Sequence, residues 1–171
     1  MGKLKIYLAG PDVFRLNAIE YFDILKKSCI EFGFEALVPL DNSLEINEED
    51  IMTPVHSKLI FNENFNLIKE CDVIVANLVP FRGACIDDGT AWEIGCGFAF
   101  GKKIYGYSKY NEKSLLDITE EFGYKMSEFP IVENFGNSVN LMICESIKKS
   151  GGFILEKFED CLKNLSEYEG S

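Results

Sequence analysis

Seven consecutive residues, Asp72 to Leu78 (DVIVANL), are nearly all apolar. A run this short, bounded by polar residues, reads as a β-strand buried on both faces, and such strands lie at the centre of a sheet with helices packed front and back. The rest of the chain repeats the theme. Lys5 to Ala9 is a β-branched and aromatic run ending in Gly10-Pro11, the pattern of a strand entering a turn. Ile19, Phe22, Leu25, Cys29 and Phe32 then recur at helical spacing, with Gly33 as a stop. Glu35 to Pro39 reads as a second strand. Ile60 to Glu70 reads as a helix with Leu59, Asn62, Phe65 and Ile68 or Leu67 turned inward. After a loop from Val79 to Gly89, a helix from Thr90 to Gly101 leads into a strand at Lys103 to Tyr107. This alternation predicts an α/β fold, a doubly wound, flavodoxin-like or Rossmann-like parallel sheet with helices on both faces and right-handed crossovers.

The length of 171 residues and an apolar content of 47% suffice for one substantial core. We expect a single domain over residues 1–166, with further helices at Ser138 to Lys149 and Leu155 to Asn164, and a mobile acidic tail over 167–171. The acidic stretch Asn42 to Thr53 has little periodicity and is expected to be a long loop lying over a site.

The net charge of −11, with Arg15 and Arg82 as the only arginines, argues against a nucleic-acid polymer or an anionic membrane as partner. A small ligand fits better. The opening MGKLKIYLAGP moves straight into a strand pattern of five or six residues, too short for the apolar region of a signal peptide, and no run reaches transmembrane length, so a cytoplasmic protein is expected. Cys29, Cys71, Cys85, Cys96, Cys144 and Cys161 form no CxxC pair, and His56 is the single histidine, so reduced, mostly buried thiols and no metal are expected. His56 itself reads as a surface or supporting residue. The glycine fingerprint of dinucleotide binding is missing after the first strand, where Gly10 is followed by a proline with no amide hydrogen, and no cofactor is expected.

Ligands of doubly wound sheets bind at the carboxyl edge. There the chain places Asp87-Asp88-Gly89-Thr90-Ala91-Trp92-Glu93-Ile94-Gly95. Thr90 and Glu93 have the spacing of a helix capping box, a purely structural use. Asp87 and Asp88 just upstream crowd up to three carboxylates into one turn, which costs repulsion unless a ligand or reaction uses them. Both roles can coexist. A glutamate in the first helical turn would feel the positive end of the helix dipole, which favours the ionised form a carboxylate nucleophile needs. Gly95, Gly97 and Gly101 read as packing positions that let this helix approach the sheet.

Tyr7-Leu8-Ala9-Gly10-Pro11, Pro80-Phe81-Arg82-Gly83, Asp87-x-Gly89-Thr90-Ala91-x-Glu93-x-Gly95 and Asn140-Leu141-Met142 together resemble, in order and spacing, the nucleoside 2-deoxyribosyltransferase family. The PFRG element is most similar to the branch that includes trypanosomatid enzymes. The resemblance implies transfer of a 2-deoxyribosyl group between purine or pyrimidine bases. In it Glu93 is the nucleophile and Tyr7 orients its carboxylate. Asp87 holds the sugar hydroxyls, and Asp88 is a turn residue. Asn140 reaches into the site of an adjacent subunit, which implies a homo-oligomer; alone, it reads as a helix cap. Asn64 falls where several bacterial members carry a base-contacting aspartate, and an amide has no titratable proton to give a departing base. Gly10 and Gly89 stand at substrate-side positions of the motifs. Asp12 and Phe14 are candidates for contacting and stacking on the base, beside the plain readings of turn and core residue. Phe61, Phe65 and Phe81 are candidate wall residues, with core packing as the default for each.

The chemistry suits these groups. Cleaving an N-glycosidic bond passes through an oxocarbenium-like state, which a close carboxylate stabilises and then captures, and two inversions give net retention. Transfer rather than hydrolysis then needs a second base to exclude water. A missing 2-hydroxyl eases cation formation, so deoxyribose is expected to be preferred over ribose. Two alternatives remain: a 2-deoxynucleoside 5-phosphate hydrolase, for which Arg82 is present but no serine-rich phosphate cradle, and a non-catalytic nucleoside or nucleotide sensor.

Overall fold

The computed structural model describes residues 2–39, 52–123 and 128–169. Its frame is a parallel sheet of five strands among these residues: β1 (Lys5–Ala9), β2 (Glu35–Leu37), β3 (Val73–Asn77), β4 (Lys103–Tyr107) and β5 (Ile154–Leu155). Their order is β2-β1-β3-β4-β5. The expected central run is the middle strand, with every residue of β3 buried. Pairing keeps Tyr7 level with Ile74 and Ile74 level with Ile104.

The two-residue period of the strands sorts the core into two layers. One layer takes Ile6, Leu8, Val73, Val75, Tyr105 and Tyr107 against α1 (Ala18–Glu31) and the carboxyl-terminal helix, Phe158–Glu169. The other takes Tyr7, Ala9, Ile74, Ala76 and Ile104 against α2 (Pro54–Glu70), α3 (Asp88–Ala99) and a helix at Leu141–Lys149. With α4 at Leu115–Glu121, these last two helices are α5 (Leu141–Lys149) and α6 (Phe158–Glu169). Phe22, Leu25 and Cys29 form the buried stripe of α1, while Ile19 is exposed and Phe32 half-buried. Gly33 ends the helix with φ +85°, a left-handed conformation that glycine adopts without strain.

Several elements depart from expectation. α2 begins at Pro54, because Thr53 accepts the His56 backbone N–H and Pro54 fills the first helical position. Asn62 is exposed on it, and Ile68 supplies its fully buried contact. Asn42 to Ile51 of the anticipated covering loop lie outside the described residues, and Thr53 is the cap of α2. The single helix expected from Leu155 is a two-residue strand followed by α6, which runs to Glu169 and so includes three residues of the anticipated tail. Gly97 is a packing glycine, since a Cβ there would stand 2.2 Å from Ile74 Cδ1, but Gly95 faces open space and Gly101 lies beyond the helix end at φ +70°. Among the described residues no helix is long and apolar enough to cross a membrane. Cys29, Cys71, Cys144 and Cys161 are buried free thiols, Cys96 is half-buried and Cys85 is exposed.

Candidate active site

The strand order reverses between β1 and β3, so their carboxyl-terminal exits diverge and leave a crevice at the sheet edge. Tyr7 stands on β1 with its ring in the core and no exposed surface. From there its hydroxyl donates to Oε1 of Glu93 on α3 at 2.5 Å.

The helix that carries Glu93 starts earlier than its sequence suggests. Asp87 is the cap, with Oδ2 accepting the backbone N–H of Thr90 at 2.9 Å and its hydroxyl at 3.1 Å. The capping-box reading of Thr90 and Glu93 is thereby overturned: Thr90 sits inside the first turn, Asp88 opens the helix rather than a turn, and Glu93 is free to face Tyr7. Gly89 makes room for this cap, because a Cβ there would lie 3.0 Å from Asp87 Oδ2. Glu93 consequently falls in the second turn, beyond the reach of the helix dipole.

Burial is the larger influence on its charge. Desolvation pushes the Glu93 carboxyl up to about 7, the Tyr7 hydrogen bond pulls it down, and the negative charge of Asp87 adds to the rise. The Tyr7 hydroxyl is itself raised, first by burial and then by the Glu93 charge and hydrogen bond, so it remains a protonated donor. The pair is a carboxylate poised near neutrality with a fixed donor on one oxygen. That arrangement can host a developing cation and a covalent bond.

Asp87 also lines an open cleft of about 850 Å³, walled by Phe81, Arg82, Asp88, Phe129, Ile131, Glu133 and Asn140 among others. Neither Tyr7 nor Glu93 lines it, so Asp87 is the residue that joins cleft and carboxylate. Asn140 is exposed and caps α5, its Oδ1 accepting the Met142 N–H at 3.0 Å, while Glu133 accepts the Leu141 N–H. Its capping role is therefore realised within the chain.

Phe14 and Phe81 stack at 5.2 Å between ring centroids, one from the 3-10 turn Pro11–Phe14 after β1 and one from the loop after β3. The Arg82 guanidinium lies over both rings, from a backbone held at φ +53°. Phe14 is thus an exposed stacking residue and not part of the core. Asp12 is buried, with one carboxyl oxygen accepting from Arg15 and the other from Asn77, so it serves the turn after β1 and the base contact considered for it does not fit. On α2, the Asn64 Oδ1 is buried with no partner among the described residues, an open acceptor of the kind a ligand N–H satisfies. Phe61 and Phe65 on α2 stack with each other and tilt against Trp92 on α3. His56 is half-buried in the first turn of α2, its Nδ1 accepting the Met52 N–H. No group of three or more metal-ligating side chains is present among the described residues. Sequence reasoning passed over Asn77 and the ring-capping role of Arg82. The signal for Asn77 was available, as one amide in an otherwise apolar strand.

The family model for nucleoside 2-deoxyribosyltransferase matches residues 6–142. A 2-desoxiribosyltransferase from Leishmania mexicana has a similar structure, with TM-score 0.74 and 30% identity over 96% of this chain and 97% of its own. A conserved protein from Enterococcus faecalis V583 superposes with TM-score 0.68 and 26% identity, covering 98% and 99%. An uncharacterized protein of Schizosaccharomyces pombe is 32% identical over 94% of this chain and 88% of its own length. With the family model spanning most of the chain and the fold shared throughout, this chain belongs to the nucleoside 2-deoxyribosyltransferase family of enzymes.

Proposed function

We propose that this enzyme transfers the 2-deoxyribosyl group between nucleobases through a covalent deoxyribosyl-Glu93 intermediate, with net retention. The observation that carries the reading is the Tyr7–Glu93 pair, in which a 2.5 Å hydrogen bond from the buried Tyr7 hydroxyl holds a carboxyl poised near pH 7.

In the first step a Glu93 carboxylate oxygen bonds to C1′ as the C1′–N bond breaks, and the bonding pair leaves with the base, which takes a proton from water. In the second, a nitrogen of the incoming base attacks C1′, the C1′–O bond breaks to regenerate the carboxylate, and that nitrogen releases its proton. Tyr7 orients the nucleophile, and its hydrogen bond keeps the carboxylate accessible despite burial. The Asp87 oxygen not used in capping serves the sugar hydroxyls. Phe14 and Phe81 offer stacking surface to a base, and the open Asn64 acceptor suits a base N–H. Asn140 completes the site of a second copy, so the active form is a homo-oligomer acting on deoxyribonucleosides and free bases.

Incubating the protein with deoxyinosine and free cytosine tests the reading. Appearance of deoxycytidine supports it. Release of hypoxanthine only from the 5-phosphate of the donor indicates an N-glycosidase instead, and binding without turnover indicates a sensor.

A further inference from the structure

A single amide joins the exits of the two strands at which the sheet order reverses. By the period of β3, Asn77 projects to the same layer as Val73 and Val75, where the core is otherwise largely apolar. It is 1% exposed. Its Nδ2 donates to Asp12 Oδ2 at 2.8 Å, and its Oδ1 accepts the Val79 backbone N–H at 3.2 Å. A carboxylate only accepts and a backbone N–H only donates, so the two partners fix which end of the amide is which. Asp12 is 3% exposed, and its other oxygen accepts from Arg15 Nε at 2.6 Å. Gly10 completes the junction, because a Cβ there would stand 2.8 Å from the Asn77 Cβ.

Burying a carboxylate and an amide at a sheet edge is a poor way to gain stability, since apolar side chains of similar volume do as well or better. What the junction does provide is a fixed relation between two loops. Asp12 belongs to the turn that carries Phe14, and Val79 begins the loop that carries Phe81 and Arg82 and ends at Asp87. The Phe14–Phe81 stack is where these loops meet.

We propose that Asn77 is a positioning residue: its amide latches the exit turn of β1 to the exit loop of β3 and so sets the aromatic wall that receives the base. This rests on the deoxyribosyl-transfer reading above. With 1% exposure and both ends of its amide engaged within the chain, Asn77 acts through the two loops and not by contact with base or sugar. Its loss weakens base binding equally in the ground and transition states, so it raises KM while leaving kcat nearly unchanged.

The decisive variant is Asn77→Asp, which sets two carboxylates against each other, paired with the swap Asp12→Asn/Asn77→Asp, which restores one amide facing one carboxylate and keeps an acceptor for Val79. In folded Asn77→Asp, KM for donor and acceptor base should rise about tenfold with kcat within about twofold, and the swap should return KM to within about threefold of the starting protein. Should Asn77→Asp not fold, Asn77→Ala, which adds no charge, should show the same rise in KM. Unchanged KM, a fall in kcat alone, or a folded swap that fails to recover overturns the proposal. Hydrogen–deuterium exchange separates this from the functional reading: segments 10–16 and 78–86 should both exchange faster in the single variants and recover in the swap. Unchanged exchange overturns the latch. If the starting protein transfers no deoxyribosyl group, the functional reading fails, and exchange alone decides whether the latch exists.

Discussion

The Tyr7 hydroxyl and the Glu93 carboxyl, 86 residues apart in sequence, meet at 2.5 Å because β1 and α3 pack in the same layer beside β3. Their opposing influences set the acidity of the site. Burial raises the carboxyl to about 7 and the hydroxyl restrains that rise. If the carboxylate is the nucleophile, base exchange should fall as pH drops below about 7, and kcat/KM against pH should show an acidic limb with its midpoint there.

Tyr7→Phe removes the one interaction that lowers the Glu93 pKa while keeping the buried ring. The acidic limb should move to higher pH, and kcat at neutral pH should fall by about tenfold to a hundredfold. Steady-state rates across a pH series check both, and an unmoved limb would remove Tyr7 from its proposed role.

The same carboxyl makes a prediction for stability. Its folded pKa lies above the ordinary value of 4.5, so the native protein holds the proton more tightly than the unfolded chain does. Stability from this group is therefore retained below about pH 4.5 and lost as pH rises through about 7, by at most about 3 kcal/mol. Glu93→Gln should be more stable than the starting protein at pH 8 and equal to it near pH 4, as measured by urea denaturation, while abolishing exchange.

Asn140→Ala should remove the α5 cap at a cost of about 1 kcal/mol and leave the fold intact. If its side chain also serves a second copy, the variant should be inactive alone, and mixing it with Glu93→Ala under conditions that exchange subunits should restore measurable transfer. Absence of rescue in confirmed hybrids would confine Asn140 to capping.

Gly152 marks where the backbone comes closest to the sheet. A Cβ there would lie 1.8 Å from the Ile104 carbonyl oxygen, a backbone atom that cannot yield as a side chain can. Gly152→Ala should destabilise the protein by about 3 kcal/mol or more, read as a lowered urea midpoint.

What could be read from the chain alone follows a physical division. β1, β3 and β4 announce themselves because strands buried on both faces need unbroken apolar runs, and Gly33 stops α1 by local geometry alone. β5 was hidden because two residues hold no periodicity, and the apolar positions of Ile154 and Leu155 merge with those of α6. α4 has a genuine capping box at Ser114 and Asp117, but its seven residues are too few to form a clear amphipathic stripe. At the site, the hydrogen-bonded pairing of Tyr7 with Glu93 was legible through family motifs. The start of α3 was misplaced because Thr90 and Asp87 are both good caps, and only the packed structure, which buries Thr90, decides between them. The Asp12–Asn77 bond joins residues 65 apart across a sheet edge, a pairing that no local pattern encodes.

The central claim is that Glu93 bonds covalently to the sugar. Incubation with a deoxynucleoside donor in the absence of acceptor base, followed by rapid acid quenching, digestion and peptide mass spectrometry, tests it most directly. The account predicts one deoxyribosyl group on the peptide containing Glu93, lost when free base is added before quenching and absent in Glu93→Gln. Base exchange at full rate with no adduct on that peptide, or an adduct that persists in Glu93→Gln, would contradict it.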